Sequence, residues 1–238
     1  MTLANIGDFL FRYRNLLFPL CLPLALLPGP DVFDQALIAA TVGFAVAAVG
    51  EAVRASTIGL QYIVRGGRDR RVYAKDLVTG GLYSHTRNPM YVGNMLILIG
   101  LSIASNSWTC VAVAIPFYAF VCAAIVAAEE RYLRDRFGAD FEAYCRDVPR
   151  WLPRLSGLAA TLADHSFNWR RVVLKEYGTP LGWISAWGLL VLWNLAQDEG
   201  GLLAQRPAVV TIASIMTAML AFWVFARYTK KSRRWGSA

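Results

Sequence analysis

The sequence predicts an all-α polytopic membrane protein of about six transmembrane helices, with a helical-hairpin core and a cytoplasmic pocket. Three observations predict the membrane class. Of the 238 residues, 56% are hydrophobic and 17% charged, against about 25% charged in an ordinary soluble protein, and the mean hydropathy is +0.41. Apolar runs recur near the length of ~20 residues that crosses ~30 Å of hydrocarbon. The 24 basic and 16 acidic residues, net +8, are sorted by segment rather than spread. This balance leaves too little polar surface to cover a water-soluble globule. It excludes a disordered chain, a disulfide-stapled miniprotein and a free nucleic-acid-binding domain.

In chain order the apolar runs are Leu16–Pro28, Leu37–Val53, Met90–Ser107, Trp108–Ala128, Pro180–Ala196 and Pro207–Ala226. The first is short and holds Pro19 and Pro23, so a kinked or re-entrant segment is the alternative to a full span. Arg12 and Arg14 precede it without a small-residue cleavage site, unlike a cleavable signal. With six spans, 23 of the 24 basic residues fall on one side, and the other side keeps Arg206 beside Asp31, Asp34, Asp198 and Glu199. Basic residues mark the cytoplasmic face, so both termini and the two long loops are expected there.

The first long loop, Thr57–His85, holds Gly66-Gly67 and Gly80-Gly81 around a basic cluster from Arg65 to Lys75, a pattern of irregular structure. The second, Arg131–Trp151, spaces Leu133, Phe137, Phe141, Tyr144 and Val148 as one helical face between charges. It predicts an amphipathic helix at the membrane surface, broken at Gly138 and ended by Pro149. Ser156–Lys175 reads as a linker, and the last two spans resemble nothing in the first four. The chain therefore divides into a core over 1–155 and a linker with two additional spans over 156–238. Cys21, Cys110, Cys122 and Cys145 are scattered and His85 and His165 lie far apart, so neither a metal site nor a disulfide framework is expected.

Chemistry concentrates at the open end of the third and fourth spans, which only the Asn106-Ser107 turn joins. Their hairpin brings Arg87 to the depth of Glu129 and Glu130. Pro89 suits a first helical turn, whose unpaired N–H groups bind a carboxylate or phosphate. Gly93 permits close approach of the backbone, and Tyr91 offers an aromatic face to a ring or cation. Two carboxylates at a helix C-terminus are unfavourable without partners. A bound ammonium or a sugar diol would relieve them. The alternative is purely structural: Arg87 and Arg131 neutralise the pair, and Gly93 serves helix packing.

Thr79-Gly80-Gly81-Leu82-Tyr83, then Arg87-Asn88-Pro89-Met90-Tyr91-Val92-Gly93, an apolar hairpin, Glu129-Glu130, Phe137-Gly138, Tyr144 and Val148-Pro149 resemble one family in order and spacing. It is that of the membrane methyltransferases related to isoprenylcysteine carboxyl methyltransferase and phospholipid N-methyltransferase, over roughly residues 75–155. The resemblance implies an S-adenosylmethionine site formed by Leu77, Val78, Tyr83, Asn88, Pro89, Tyr91, Glu129 and Glu130. It implies Arg87 nearest the reaction, orienting a carboxylate or phosphate of the acceptor or the cofactor's own carboxylate. The cofactor would enter from the cytosol and a lipid or lipid-linked acceptor from the bilayer.

Two departures stand out. Asn88 replaces the family's usual His and cannot act as an acid or base. Ile125 occupies the position where the eukaryotic isoprenylcysteine enzymes carry a basic substrate-side residue. His85 is the candidate compensating base. Two rival classes remain: a membrane reductase of the sterol reductase type using NADPH, echoed by Tyr144-Cys145 and Val148-Pro149, and a non-catalytic binding protein that keeps the fold. The short N-terminal region and the carboxylate pair favour the methyltransferase, and the sequence leaves the acceptor open.

Overall fold

The computed structural model describes residues 2–20, 22–61, 63, 72–164, 166–198 and 200–232, without the side chains of 15–20 and 22. Cys21, the Arg65–Arg71 part of the basic cluster with Gly66-Gly67, His165, Glu199, Arg233 and Arg234 lie outside the described residues. The described chain is helical: α1 Leu3–Leu20, α2 Ala36–Leu60, α3 Pro89–Ala104, α4 Trp108–Phe137, α5 Ala139–Asp147, α6 Leu158–Asp164, α7 Trp169–Glu176, α8 Gly178–Gln197, α9 Gly201–Ala204 and α10 Arg206–Lys231.

Three of these, α2, α4 and α10, are long and apolar enough to cross a membrane by length and composition. The expected count of six is not reached on that measure. At 16 residues α3 spans roughly 24 Å, short of the hydrocarbon thickness. The expected first span is not one helix: α1 ends at Leu20 and a 3₁₀ turn covers Leu22–Leu26, around the Pro23 that cannot donate to a helical ladder. The helix instead begins at Leu3 and takes in Arg12 and Arg14. The outer surface is apolar, with Val49, Phe120, Leu189, Trp193, Val210 and Val224 exposed, while Arg54, Glu130 and Glu176 are buried. This inversion is the pattern of a protein in lipid rather than in water.

Local chemistry sets the helix ends. Pro89 occupies the first turn of α3, where its missing N–H costs nothing. The turn to α4 is made by Asn106 at φ 53°. Asn106 accepts from the Phe33 N–H at 2.9 Å and donates to the Phe33 carbonyl at 3.0 Å. Ser107 caps α4 by accepting from the Cys110 N–H at 3.3 Å. Gly138, at φ 51°, separates α4 from α5, so the break expected there is present.

The tightest helix pair is α2 against α3, running antiparallel. Glycines make it possible. A Cβ on Gly43 would lie 2.5 Å from the Gly100 carbonyl oxygen, and one on Gly50 would lie 2.6 Å from that of Gly93. Backbones meet there because side chains are absent, the usual device of helix pairs in lipid. Gly93 thus serves packing rather than ligand approach: its own Cβ would lie 2.5 Å from the Arg54 Cγ. Gly100→Val is expected to cost at least about 1–3 kcal/mol by overpacking against backbone. A lowered melting temperature of the purified protein reports it, with Gly178→Ala, where a Cβ meets nothing within 4 Å, as the unaffected control.

α1 packs on α4, and α8 packs on α2, α3 and α10. The expected α3–α4 hairpin exists at the Asn106 turn, but each arm makes its main contacts with another helix, α3 with α2 and α4 with α1. The arms therefore leave space between them. α8 brings Thr179 to that space, and Thr179 shares the Arg54 guanidinium with Glu176 of α7. Arg54, counted by its sequence position among loop basics, lies inside α2 and is buried. Its Nε donates to Glu176 at 2.6 Å, NH2 to Thr179 at 3.1 Å and NH1 to Asn94. One guanidinium thus ties together α2, α3, α7 and α8, and losing one partner of such a buried pair costs about 3–5 kcal/mol.

Candidate functional site

A cavity of about 740 Å³ occupies the space between α3, α4 and α8, a size typical of small-molecule sites. Leu77, Val78, Tyr83, Arg87, Asn88, Tyr91, Glu129 and Glu130 all line it, whereas Pro89 is buried beside it and does not. Residues 72–78 run along one side without regular structure, and Phe11 and Arg14 of α1 reach it from another.

Two carboxylates with different partners dominate its polar end. Glu129 accepts a hydrogen bond from the Tyr91 hydroxyl at 2.9 Å. Glu130, buried, lies 3.2 Å from Arg87 NH1 and accepts from Arg150, whose Nε is at 2.9 Å and whose NH2 takes the other oxygen. Hydrogen bonding to Glu130 holds the Arg150 guanidinium above its ordinary pKa. The charge of Glu130 is thus internally balanced. Glu129 takes its hydrogen bond from a phenol, with the Arg14 guanidinium of α1 acting on it electrostatically from the same cavity.

Arg87 NH1 also approaches the Cys145 Sγ at 2.7 Å, and its Nε is buried with no hydrogen-bond partner among the described residues. A buried donor without an acceptor costs about 1–3 kcal/mol, a deficit that an anionic group in the cavity would remove. Tyr144 donates from its hydroxyl to the Tyr83 carbonyl at 2.7 Å. Burial pushes the Tyr144 phenol up, opposed by Arg87, so it stays a donor.

The segment that enters α3 is held by the segment after α5. Arg87 N–H donates to the Pro149 carbonyl and Arg154 N–H to that of His85, each at 2.9 Å. Asn88 Nδ2 donates to the Arg150 carbonyl at 3.0 Å. Asn88 therefore fastens Arg150, the residue that balances Glu130. His85 faces away from the cavity: its ring nitrogens lie 2.6 Å from the Arg154 carbonyl and 2.9 Å from the Thr161 hydroxyl. Both ring nitrogens are thus taken up in joining these segments.

The structural alternative named Arg131 as partner of the carboxylates. Arg131 pairs instead with Asp8 and with Asn5 at 2.8 Å on α1. A helix rotates each residue by 100°, so Arg131 faces a different neighbour from Glu129 and Glu130. Arg150 takes the role, and only its place directly after Val148-Pro149 could have indicated it. Arg54, Asn94 and Thr179 also line the cavity, and no sequence signal marked them, because their meeting depends on how α7 and α8 return to α2. Among the described residues no group of three or more His, Cys, Asp or Glu could hold a metal ion.

Residues 36–140 match the phospholipid methyltransferase family model, the family that the motifs resemble. The chain is 39% identical over 80 residues to the cobalt-zinc-cadmium resistance protein CzcN of Cupriavidus metallidurans, a match covering 34% of this chain and 37% of that protein. It is 29% identical over 156 residues to the nickel-cobalt-cadmium resistance protein NccN of Alcaligenes xylosoxydans xylosoxydans, covering 64% and 70%. The chain thus spans little more than a third of CzcN. No solved structure matches it.

Proposed function

With residues 36–140 matching the phospholipid methyltransferase family, we propose that the chain is an S-adenosylmethionine-dependent methyltransferase acting at the cytoplasmic membrane face on a lipid or lipid-linked acceptor. The observation that carries the reading is the convergence of Arg87, Tyr91, Glu129 and Glu130 on one cavity among membrane helices. The residues fit the cofactor in kind. S-adenosylmethionine carries a sulfonium, an ammonium, a carboxylate and a ribose diol. Glu129, which accepts from the Tyr91 hydroxyl, suits the cations or the diol, and the unpartnered Arg87 Nε suits a carboxylate. Leu77, Val78 and Tyr83 offer apolar surface to a purine.

When bound, the cofactor supplies a methyl group on positive sulfur, which passes to a nucleophile as the sulfur keeps the bonding pair. A nucleophilic acceptor requires no imidazole, so Asn88 in place of His is no obstacle. The residues of the chain align and exclude water: Arg87 orients an anionic group, Glu129 with Tyr91 holds the cationic side, and α3 and α4 keep solvent out.

The relatives are named for metal resistance, and a methylated headgroup connects with that setting. Esterifying a carboxylate removes its charge, and alkylating an amine fully removes its lone pair, so either leaves fewer donors for a divalent cation. Calorimetry on the purified full chain is expected to show S-adenosylmethionine binding and no NADPH binding. NADPH binding without S-adenosylmethionine binding would establish the reductase class instead.

A further inference from the structure

The cavity has a wall that lies outside the family-matched segment. α8 presents Thr179, Gly182, Trp183 and Ala186 to it, positions that share one helical face. The wall is fastened from behind. Trp183 Nε1 donates to Glu51 at 3.1 Å, and Thr179 accepts from Arg54 at 3.1 Å. Deeper along α8, Trp187 donates to the Ala40 carbonyl at 2.9 Å and Asn194 to that of Ala104 at 3.1 Å. These bonds hold the α8 face in register with α2 and, through Asn194, with the end of α3.

Across from α8 the lining is apolar, with Ile97 and Leu101 of α3 and Tyr118 and Ile125 of α4. The carboxylates and Arg87 collect at the other end. α4 and α8 each pack on α3 but not extensively on each other, so the apolar part is flanked by two helices rather than closed by them. Gly182 sits on this flank and is exposed. Gly43, Gly50, Gly93, Gly100 and Gly188 each lie where a Cβ would strike a neighbour, but a Cβ at Gly182 would meet nothing within 4 Å. A glycine inside a helix costs stability relative to alanine. At the other positions close packing explains it, and at Gly182 the space kept open belongs to the cavity.

We infer that α8 is the acceptor-side wall of the cavity. The apolar body of a membrane-borne acceptor lies between α3, α4 and α8, entering past Gly182, and residues 182 and 186 determine which acceptor fits. The apolar end suits only the membrane-borne reactant, since burial of hydrocarbon is its main source of affinity. The inference rests on the methyltransferase reading and names the half of the site that serves the acceptor.

The test uses the full chain in lipid nanodiscs, with Gly182→Trp, Ala186→Phe and, as control, Gly178→Leu, at a position that does not line the cavity and where a Cβ meets nothing within 4 Å. Three quantities are read: S-adenosylmethionine affinity, transfer of labelled methyl into the chloroform-extractable lipids of membranes from the expressing cells, and crosslinking of a phospholipid carrying a diazirine in its acyl chain. The expected result is cofactor affinity within about twofold in all variants. Methyl transfer falls at least tenfold in Gly182→Trp and Ala186→Phe, with Gly178→Leu as wild type. The phospholipid probe labels the α8 peptide containing Trp183 in wild type and loses that label in Gly182→Trp. A melting temperature equal to wild type separates obstruction from misfolding. Unchanged transfer and labelling in Gly182→Trp would overturn the inference, as would a parallel loss of cofactor affinity, which would give α8 to the cofactor. Absence of S-adenosylmethionine binding in wild type would instead remove the methyltransferase reading, and the crosslinking arm would still decide whether α8 faces a lipid.

Discussion

Glu129→Ala is expected to weaken S-adenosylmethionine binding by two orders of magnitude or more. Glu130 is already matched by Arg87 and Arg150, whereas Glu129 is met by the Tyr91 hydroxyl. Removing Glu129 therefore takes away the cavity carboxylate whose hydrogen-bond partner is a hydroxyl, the one assigned to the cationic side of the ligand. Truncating one member of a buried hydrogen-bonded charge pair costs about 2–5 kcal/mol, tenfold for each 1.4 kcal/mol. Glu129→Gln separates charge from geometry, since it keeps an acceptor for Tyr91 and loses the charge. Calorimetric affinity should fall for Gln nearly as far as for Ala. A glutamine variant that binds like wild type would show that the carboxylate acts through Tyr91 alone.

Arg87→Ala is expected to abolish measurable methyl transfer while the fold persists. Arg87 touches Glu130 and Cys145 and leaves Nε without a partner, so it holds donor capacity that the protein does not use. Arg150 remains on Glu130 in the variant, and no carboxylate is stranded. Removing one preorganised donor from a reaction site typically costs 10²–10³ in turnover. Arg87→Lys should restore part of it, because an ammonium keeps the charge but not the planar fork. The readout is transfer of labelled methyl into membrane lipid at saturating cofactor. Transfer at the wild-type rate in Arg87→Ala would exclude the proposed role.

The site was unevenly legible. The motif around Arg87, Tyr91 and Glu129-Glu130 could be read because the Asn106-Ser107 turn allows one geometry, an antiparallel return. The end of α4 could be read as well, since Gly138 interrupts a helical face at Phe137. By contrast, Gly93 fitted two roles in the sequence, and Gly50 and Arg54 decide for packing. His85 looked free to act as a base until the segment at Arg154 and Thr161 closed on it. Asn88 read as a loss of function relative to His, yet its amide secures Arg150.

The sequence by itself determined the solvent, the helical class and the set of polar groups gathered at one end of the third and fourth apolar segments. These follow from composition, from hydropathy and from turns that act within a few residues. The tertiary structure decided which partners those groups have: Arg150 rather than Arg131 on Glu130, Arg54 at the junction of four helices, and α8 along the cavity. Each depends on the rotation and register of helices far apart in the chain. Those are set by glycine contacts between α2 and α3 and by buried hydrogen bonds to α8, terms that leave no periodic trace in the sequence.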